Sequence, residues 1–264
     1  MAELAAPAAR QDHYYAQTAR DYDRTHLAAD HEHDLALAML AGVARKIGAR
    51  SLLDVGAGTG RALQQLEASL PGTNIVGLEP VDALRKVAAD KGFGPDRMIT
   101  GSGESLPFPD GAFDLVIETA VLHHVPQPGK VVGEMLRVAR LGVMISDSNT
   151  YGQGGWLARR LKTVVDRLGL WRAMIWLQTR GRMWKWSEGD GLFYSYSVFD
   201  SLPQVAAKFP RVHLVNTAPM TGSDLRRGAS QVCLIALADG PEQRTDRMID
   251  KRPGNAGAGP RDDE

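Results

Sequence analysis

The sequence predicts a doubly wound α/β fold: a seven-stranded sheet, mostly parallel, with a C-terminal antiparallel strand and a helical insert after strand five. Three observations carry this expectation. Between residues 51 and 146 short apolar runs alternate with amphipathic segments, which demands a parallel sheet with right-handed crossovers and helices on both faces. A glycine-rich turn, Gly56-Ala57-Gly58-Thr59-Gly60, joins the first apolar run to the first amphipathic segment. Beyond residue 196, the runs Val212–Asn216 and Gln231–Ala238 flank a polar segment containing Gly222 and Gly228, and read as a closing antiparallel pair.

In chain order, residues 1–12 are Ala-rich and without pattern, and are expected to be disordered. His13-Tyr14-Tyr15 to Tyr22-Asp23-Arg24 has helical spacing and is expected to pack on the domain that spans 13–238. His31-Glu32-His33-Asp34 resembles a metal site. Residues two apart on a helix diverge by about 200°, however, so a solvated helix start is the better reading and no metal is expected. Ala36, Met39, Leu40, Val43 and Ile47 then form one apolar stripe, ended by Gly48. Strands are expected at 51–55, 74–79, 98–100, 113–117 and 143–146, with helices at 60–70, 82–91, 129–138 and 198–209. Residues 239–264, rich in Gly, Pro and charge, are expected to be disordered.

Ligands in such sheets bind outside the carboxyl ends of the strands. Asp54, Glu79, Ser102, Glu118 and Asp147 all fall at or just past strand ends and are expected to share that rim. A Gly-rich turn lets backbone approach a ligand where a Cβ would collide, and it aims helix N-terminal N–H groups at the ligand. Glu79, about 20 residues beyond the glycines, is placed to accept from ribose hydroxyls. A nucleoside-containing ligand across the first two strand tips follows.

Composition bounds the partners. The 264-residue chain has zero formal net charge, so no global field recruits nucleic acid or membrane. The single cysteine, Cys233, rules out an internal disulfide and sits in an apolar run as a buried, inert thiol. Without a recognisable secretory leader or spanning segment, a cytoplasmic enzyme is the default.

With these residues assembled, the chain resembles the class I S-adenosylmethionine (SAM)-dependent methyltransferases, in particular the small-molecule group that includes the ubiquinone and menaquinone methyltransferases. Asp54-Val55-Gly56-Ala57-Gly58-Thr59-Gly60 matches the family's glycine motif, and Glu79 its ribose-binding acid. Gly101-Ser102-Gly103-Glu104-Ser105-Leu106-Pro107-Phe108 is similar to its adenine loop. Phe113-Asp114-Leu115-Val116 with Leu122-His123-His124-Val125 is similar to its strand-four signature. A dinucleotide dehydrogenase is the competitor, but its pattern wants glycine where Arg61 stands.

The resemblance implies a Rossmann-like fold and SAM as cofactor. It implies that Asp54 orients the turn or contacts the methionine amine, directly or through water, that Gly56 and Gly58 admit the methionine and ribose portion, and that Ala57 and Gly60 belong to the same cofactor-binding turn. Glu79 takes the ribose diol, and Pro80, with Leu78 and Leu106, is a candidate adenine contact. Ser102, Gly103 and Glu104 form the adenine loop, although Ser102 stands where many relatives carry Asp. Tyr15 and Tyr22 resemble aromatics that fold over the cofactor. An oxygen acceptor of moderate pKa also needs a base. His124, with His123 beside it, is the first candidate and Glu118 the second.

The stretch 150–196 is expected to be an aromatic and basic lid. Within 156–186 eight basic residues face Asp166 alone, and four tryptophans follow Trp156. One reading is a solvated basic face over a tryptophan-anchored core. The other is a lid for an anionic acceptor, or one at a membrane surface. The expected reaction is therefore methyl transfer, foremost to oxygen, on an aromatic or amphipathic metabolite with acid character, of the kind found in secondary metabolism. C- or N-methylation of a quinone or lipid precursor is the alternative. Nucleic-acid methylation and non-enzymatic SAM binding are disfavoured.

Overall fold

The computed structural model describes residues 7–20, 22–23, 32–189, 191–220 and 222–239. Two helices, α1 (Pro7–Thr18) and α2 (Glu32–Ile47), precede β1 (Ser51–Val55). The alternating core follows: α3 (Arg61–Ser69), β2 (Asn74–Leu78), α4 (Asp82–Asp90), β3 (Met98–Ile99), β4 (Phe113–Thr119), α5 (Pro128–Val138) and β5 (Ala139–Ser148). The insert holds α6 (Trp156–Arg167), α7 (Trp171–Gln178) and a hairpin of β6 (Trp184–Ser187) and β7 (Gly191–Tyr194). α8 (Val198–Lys208), β8 (Arg211–Asn216), the short α9 (Leu225–Gly228) and β9 (Gln231–Leu237) complete the chain.

The seven-stranded sheet runs β3-β2-β1-β4-β5-β9-β8. β1 pairs in parallel with β2 and β4, and β4 with β5. β9 is antiparallel to both β5 and β8, so it is the one reversed strand. The order reverses at β1 and β4, the crevice where such sheets bind ligands. Adjacent residues of a strand point to opposite faces. Leu53 and Val116 therefore join the core under α5 and α8, while Leu52 and Leu115 join the core under α2 and α3. This two-sided burial explains why β1 and β4 read as continuous apolar runs. Cys233 lies fully within β9, where burial pushes its thiol up to about 12.

Several expectations are corrected. Residues 7–12, grouped with a disordered start, form the first turns of α1, where Pro7 occupies a position suited to its missing N–H. Residues 1–6, His31 and 240–264 lie outside the described residues. Among the described residues no group of His, Cys, Asp and Glu is arranged to hold a metal. β5 starts at Ala139 rather than 143, because the Arg140 guanidinium bonds the buried Asp114 carboxylate (Nε to Oδ1 2.8 Å). The insert is helical in α6 and α7, as expected, and adds a hairpin. Trp184-Lys185-Trp186-Ser187 alternates as a strand does, and pairs with Gly191–Tyr194. Nor do its tryptophans anchor a core: Trp156, Trp176 and Trp186 are 68%, 59% and 43% exposed.

One joint holds the insert to the sheet. The Asn149 amide, fully buried after β5, donates to Arg226 O and Ala229 O, and its Oδ1 accepts from Tyr151 N–H and the Ser197 hydroxyl. It thus ties the insert's departure to its return. Gly152 lies so close to this crossing that a Cβ would stand 1.7 Å from Ala229 O. A backbone atom cannot swing aside. Gly152→Ala is therefore expected to cost about 3 kcal/mol, a fall of roughly 5–10 °C in thermal unfolding. Gly155→Ala, with nothing within 4 Å of the added Cβ, should change the midpoint by about 1 °C or less.

Candidate active site

Two cavities open at the carboxyl ends of β1, β4 and β5. The first, about 680 Å3, is lined by Gly56, Gly58, Glu79, Pro80, Ser102, Gly103 and Glu104, and by Tyr15, Tyr22 and His124. Most of the expected cofactor residues therefore meet on one wall. Four do not. Leu78 and Leu106 are buried in the core, so of the three candidate adenine contacts Pro80 alone reaches this wall. Ala57 packs against β2, where its Cβ would stand 2.7 Å from one added at Gly77. Gly60, at φ 77°, makes way for Phe93.

The turn's own N–H groups are already engaged. The N–H groups of Gly56 and Ala57 both donate to Leu78 O (2.8 and 3.0 Å), and that of Gly60 to Ala57 O (2.9 Å). Gly58 N–H donates to Glu79 Oε2 (3.0 Å). These donors hold the turn on the tip of β2 rather than facing outward. The glycines contribute room instead. A Cβ on Gly58 would meet nothing within 4 Å, and one on Gly56 would strike Val121 at 2.5 Å.

Glu79 is 4% exposed, and its other oxygen accepts Val81 N–H (2.8 Å). Two backbone donors thus fix the carboxylate at the cavity wall. The Ser102 hydroxyl accepts from Glu104 N–H (3.2 Å), so it first serves to turn its own loop. Asp54 lies behind the lining at 1% exposure, and neither of its oxygens has a hydrogen-bond partner. Such an orphaned buried carboxylate calls for a donor. Burial raises its pKa to about 7; Arg61 pulls it down, and Glu79 pushes it up. A ligand carrying both a diol and an ammonium fits these two acids.

The N-terminal segment closes this cavity, helped by two residues that sequence reasoning missed. Asp23 accepts from the Thr59 hydroxyl (2.6 Å) and pairs with Lys91, which clips the segment to the glycine turn. Gln11 accepts from Leu192 N–H (2.6 Å), which joins α1 to the hairpin. Tyr15 stands edge-on to Tyr22 (5.9 Å) and His124 (6.0 Å).

The second cavity, about 690 Å3, lies under the insert. It is lined by Trp171, Phe193, Tyr194 and Tyr196, by Met174 and Ile175, and by Arg61, Lys162 and Lys185. Tyr22, Thr119, Ala120 and Tyr194 line both cavities and so form the divide. Ala120 takes the left-handed conformation (φ 60°), which is costly for a residue with a Cβ and recurs at functional sites.

The two histidines part company here. His123 faces the second cavity, and its Nδ1 lies 2.6 Å from Asp147 Oδ1. Asp147 Oδ2 also accepts Leu122 N–H (2.8 Å) and His123 N–H (3.3 Å). Burial opposes charge on Asp147, but the His123 imidazole and the Ser148 N–H outweigh it and hold the carboxyl below its usual range. His124 faces the first cavity, and its Nδ1 lies 2.6 Å from Leu192 O. Glu118 lines neither cavity. Fully buried, and beside the Asp147 charge, it has its pKa pushed well above the usual range, and its Oε2 accepts Val121 N–H (3.0 Å).

A family model described as "Methyltransferase domain" matches residues 53–146. A methyltransferase of Mycobacterium avium is 32% identical over 184 residues, which cover 66% of this chain and 70% of the relative. The chain belongs to the SAM-dependent methyltransferases. A second methyltransferase, of Mycobacterium marinum, is 29% identical over 71% of this chain and 75% of its own. Among solved structures, the 1,6-didemethyltoxoflavin-N1-methyltransferase of Burkholderia thailandensis aligns at TM-score 0.56 and 18% identity, over 90% of this chain and 93% of that one. The magnesium protoporphyrin IX methyltransferase of Synechocystis aligns at 0.54 and 14%, over 90% and 100%. Both share the fold of the methyltransferase.

SAM is its cofactor, and the chemistry of the first cavity suits it: Glu79 on the wall would accept from a diol, and the unpartnered Asp54 behind it would answer an ammonium. The sign of the pH response follows. Between the ordinary carboxylate range and about pH 7, the folded empty protein keeps a proton on Asp54 that the unfolded chain has lost, so its stability falls as pH rises through that window. A cationic ligand favours the ionised form and displaces that proton. Affinity for SAM, measured by calorimetry, is therefore expected to rise about tenfold from pH 5.5 to 7 and to lose this slope in Asp54→Asn. A flat profile in the wild type would remove Asp54 from cofactor recognition.

Proposed function

We propose that the methyltransferase acts on an oxygen of a small aromatic or amphipathic molecule bearing an acid group, with His123 as the base. The observation that carries this reading is His123, held by Asp147 on the wall of the second cavity. That cavity has the volume of a drug-sized ligand site. Its aromatic lining suits a ring, and Arg61 and Lys185 suit an anionic substituent.

When bound, SAM supplies a methyl group on a sulfonium whose thioether leaves without assistance. The chain must therefore orient the acceptor, exclude water and take a proton. With Nδ1–H donated to Asp147, the His123 lone pair resides on Nε2. The acceptor hydroxyl proton passes to that atom, and the Asp147 carboxylate stabilises the imidazolium. His124, the first candidate from sequence, lines the first cavity rather than the second, and its Nδ1 partner is the Leu192 carbonyl, which carries no charge to stabilise an imidazolium. Glu118, whose pKa burial and the neighbouring Asp147 charge push well above the usual range, lines neither cavity and so has no access to an acceptor proton.

Incubating the enzyme with labelled SAM and a small-molecule extract, followed by mass identification of the product, tests the substrate class. An O-methyl product is expected; an N- or C-methyl product would sink the oxygen reading. With that product in hand, His123→Ala should lower kcat about 100-fold or more while SAM affinity stays within about twofold. Asp147→Asn should fall between the two and shift the acidic limb of the pH–rate profile. Undiminished turnover by His123→Ala would remove the base.

A further inference from the structure

The outer face of the insert carries a feature the reaction does not use. α6 is fastened to the body by its polar side. Asp166 accepts from the Tyr151 hydroxyl (2.9 Å) and from Arg226 (2.9 Å), and Lys162 donates to Thr150 O (2.7 Å). Leu157, Leu161, Val164 and Leu168 recur at i, i+4, i+7 and i+11, which puts them within about 60° of arc on the side away from Asp166. They are 66%, 60%, 52% and 65% exposed, and α6 buries none of its residues. An amphipathic helix ordinarily turns such a stripe to the core. Here the stripe faces out.

Charge says what covers it. Eight basic residues stand against Asp166 in 156–186 of a chain with zero net charge, and Asp166 is already engaged by Arg226. Arg160 and Arg167 flank the stripe about 80° from its centre, and the Arg160 guanidinium lies 5.1 Å over the Trp156 ring. An apolar stripe with an aromatic at its edge and arginines beside it matches a surface that is anionic outside and apolar within. We propose that this face seats the protein on an anionic lipid bilayer. A second copy docked stripe to stripe would bring like charges together, which disfavours it. A nucleic acid would answer the arginines but leave the leucines in water.

Seating has a consequence for the reaction. Leu161 belongs both to the stripe and to the lining of the second cavity. The bilayer therefore meets the rim of the acceptor site, and an amphipathic acceptor enters from the lipid. That last step, unlike the docking, rests on the acceptor reading above.

Sedimentation of the full chain with vesicles of phosphatidylcholine alone, or with one quarter phosphatidylglycerol, tests the docking without any acceptor. At about 0.1 M salt, binding to the anionic vesicles is expected to be at least tenfold tighter, and to weaken at 0.5 M. Leu157→Gln/Val164→Gln/Leu168→Gln should lose at least tenfold, and Arg160→Gln/Arg167→Gln at least threefold. An unchanged thermal midpoint and SAM affinity would show that both variants fold. Three results would overturn the proposal: no binding by the wild type, equal binding by the variants, or a stripe-dependent dimer or RNA complex without vesicle binding. Because no methyl acceptor is present, failure here leaves the base assignment standing, and failure of the base assignment leaves the docking standing.

Discussion

The carboxylate of Asp147 is the constraint on which the reactive end of this protein depends. It sits at the tip of β5, fully buried, and binds three groups that follow β4: two backbone N–H groups and an imidazole. A buried charge of this kind persists only when donors surround it. Its neighbour Glu118 has one backbone donor and one unpartnered oxygen, so of the two acids it is Glu118 that holds the proton. Like charges this close cannot both ionise cheaply. The pair thus sorts into an anion that steers His123 and a neutral acid that supports the backbone beside it.

That arrangement also explains the divide between the cavities. The chain leaves β4 at Thr119 and must reverse at once to bring Leu122 and His123 over Asp147. Ala120 pays for the reversal with a left-handed conformation, and its N–H is held by Ser146 O (2.9 Å). The strained residue lines both cavities because the reversal is what separates them. His123 and His124, adjacent in sequence and with ring centroids 3.9 Å apart, consequently face different chambers.

The fold was legible because β1, β4 and the glycine turn each carry strong local signals that agree: continuous apolar runs, a positive-φ turn and an acid at the next strand tip. The place of Glu79 at the tip of β2, on the cavity wall, was legible for the same reason. What escaped was set by contacts distant in sequence. Nothing local says which cavity His123 and His124 each face, since that is set by Asp147 after β5 and by Leu192 in the hairpin. The working of the turn escaped too, because its N–H groups are claimed by Leu78 O and Glu79, partners that only the β1–β2 register supplies. The hairpin at 184–194 did have a signal, the Trp-Lys-Trp-Ser alternation, but the surrounding basic helices masked it. The arginines in that stretch were plain in the sequence; the direction of the leucines was not.

Direction is the informative part. A stripe of leucines adds to stability only when it leaves water, and the α6 stripe stays in it. The inner side of the same helix is secured by Asp166 and Lys162 through polar bonds, which fix its rotation and prevent the stripe from turning inward. α7 shows the same division. Trp171, Met174 and Ile175 face the second cavity, while Trp176 and Leu177 face out at 59% and 72% exposure. α7 is therefore apolar on two sides, one toward the second cavity and one away from the protein, and α6 is apolar on its outward side. A lid that served only to exclude water would need the first side alone.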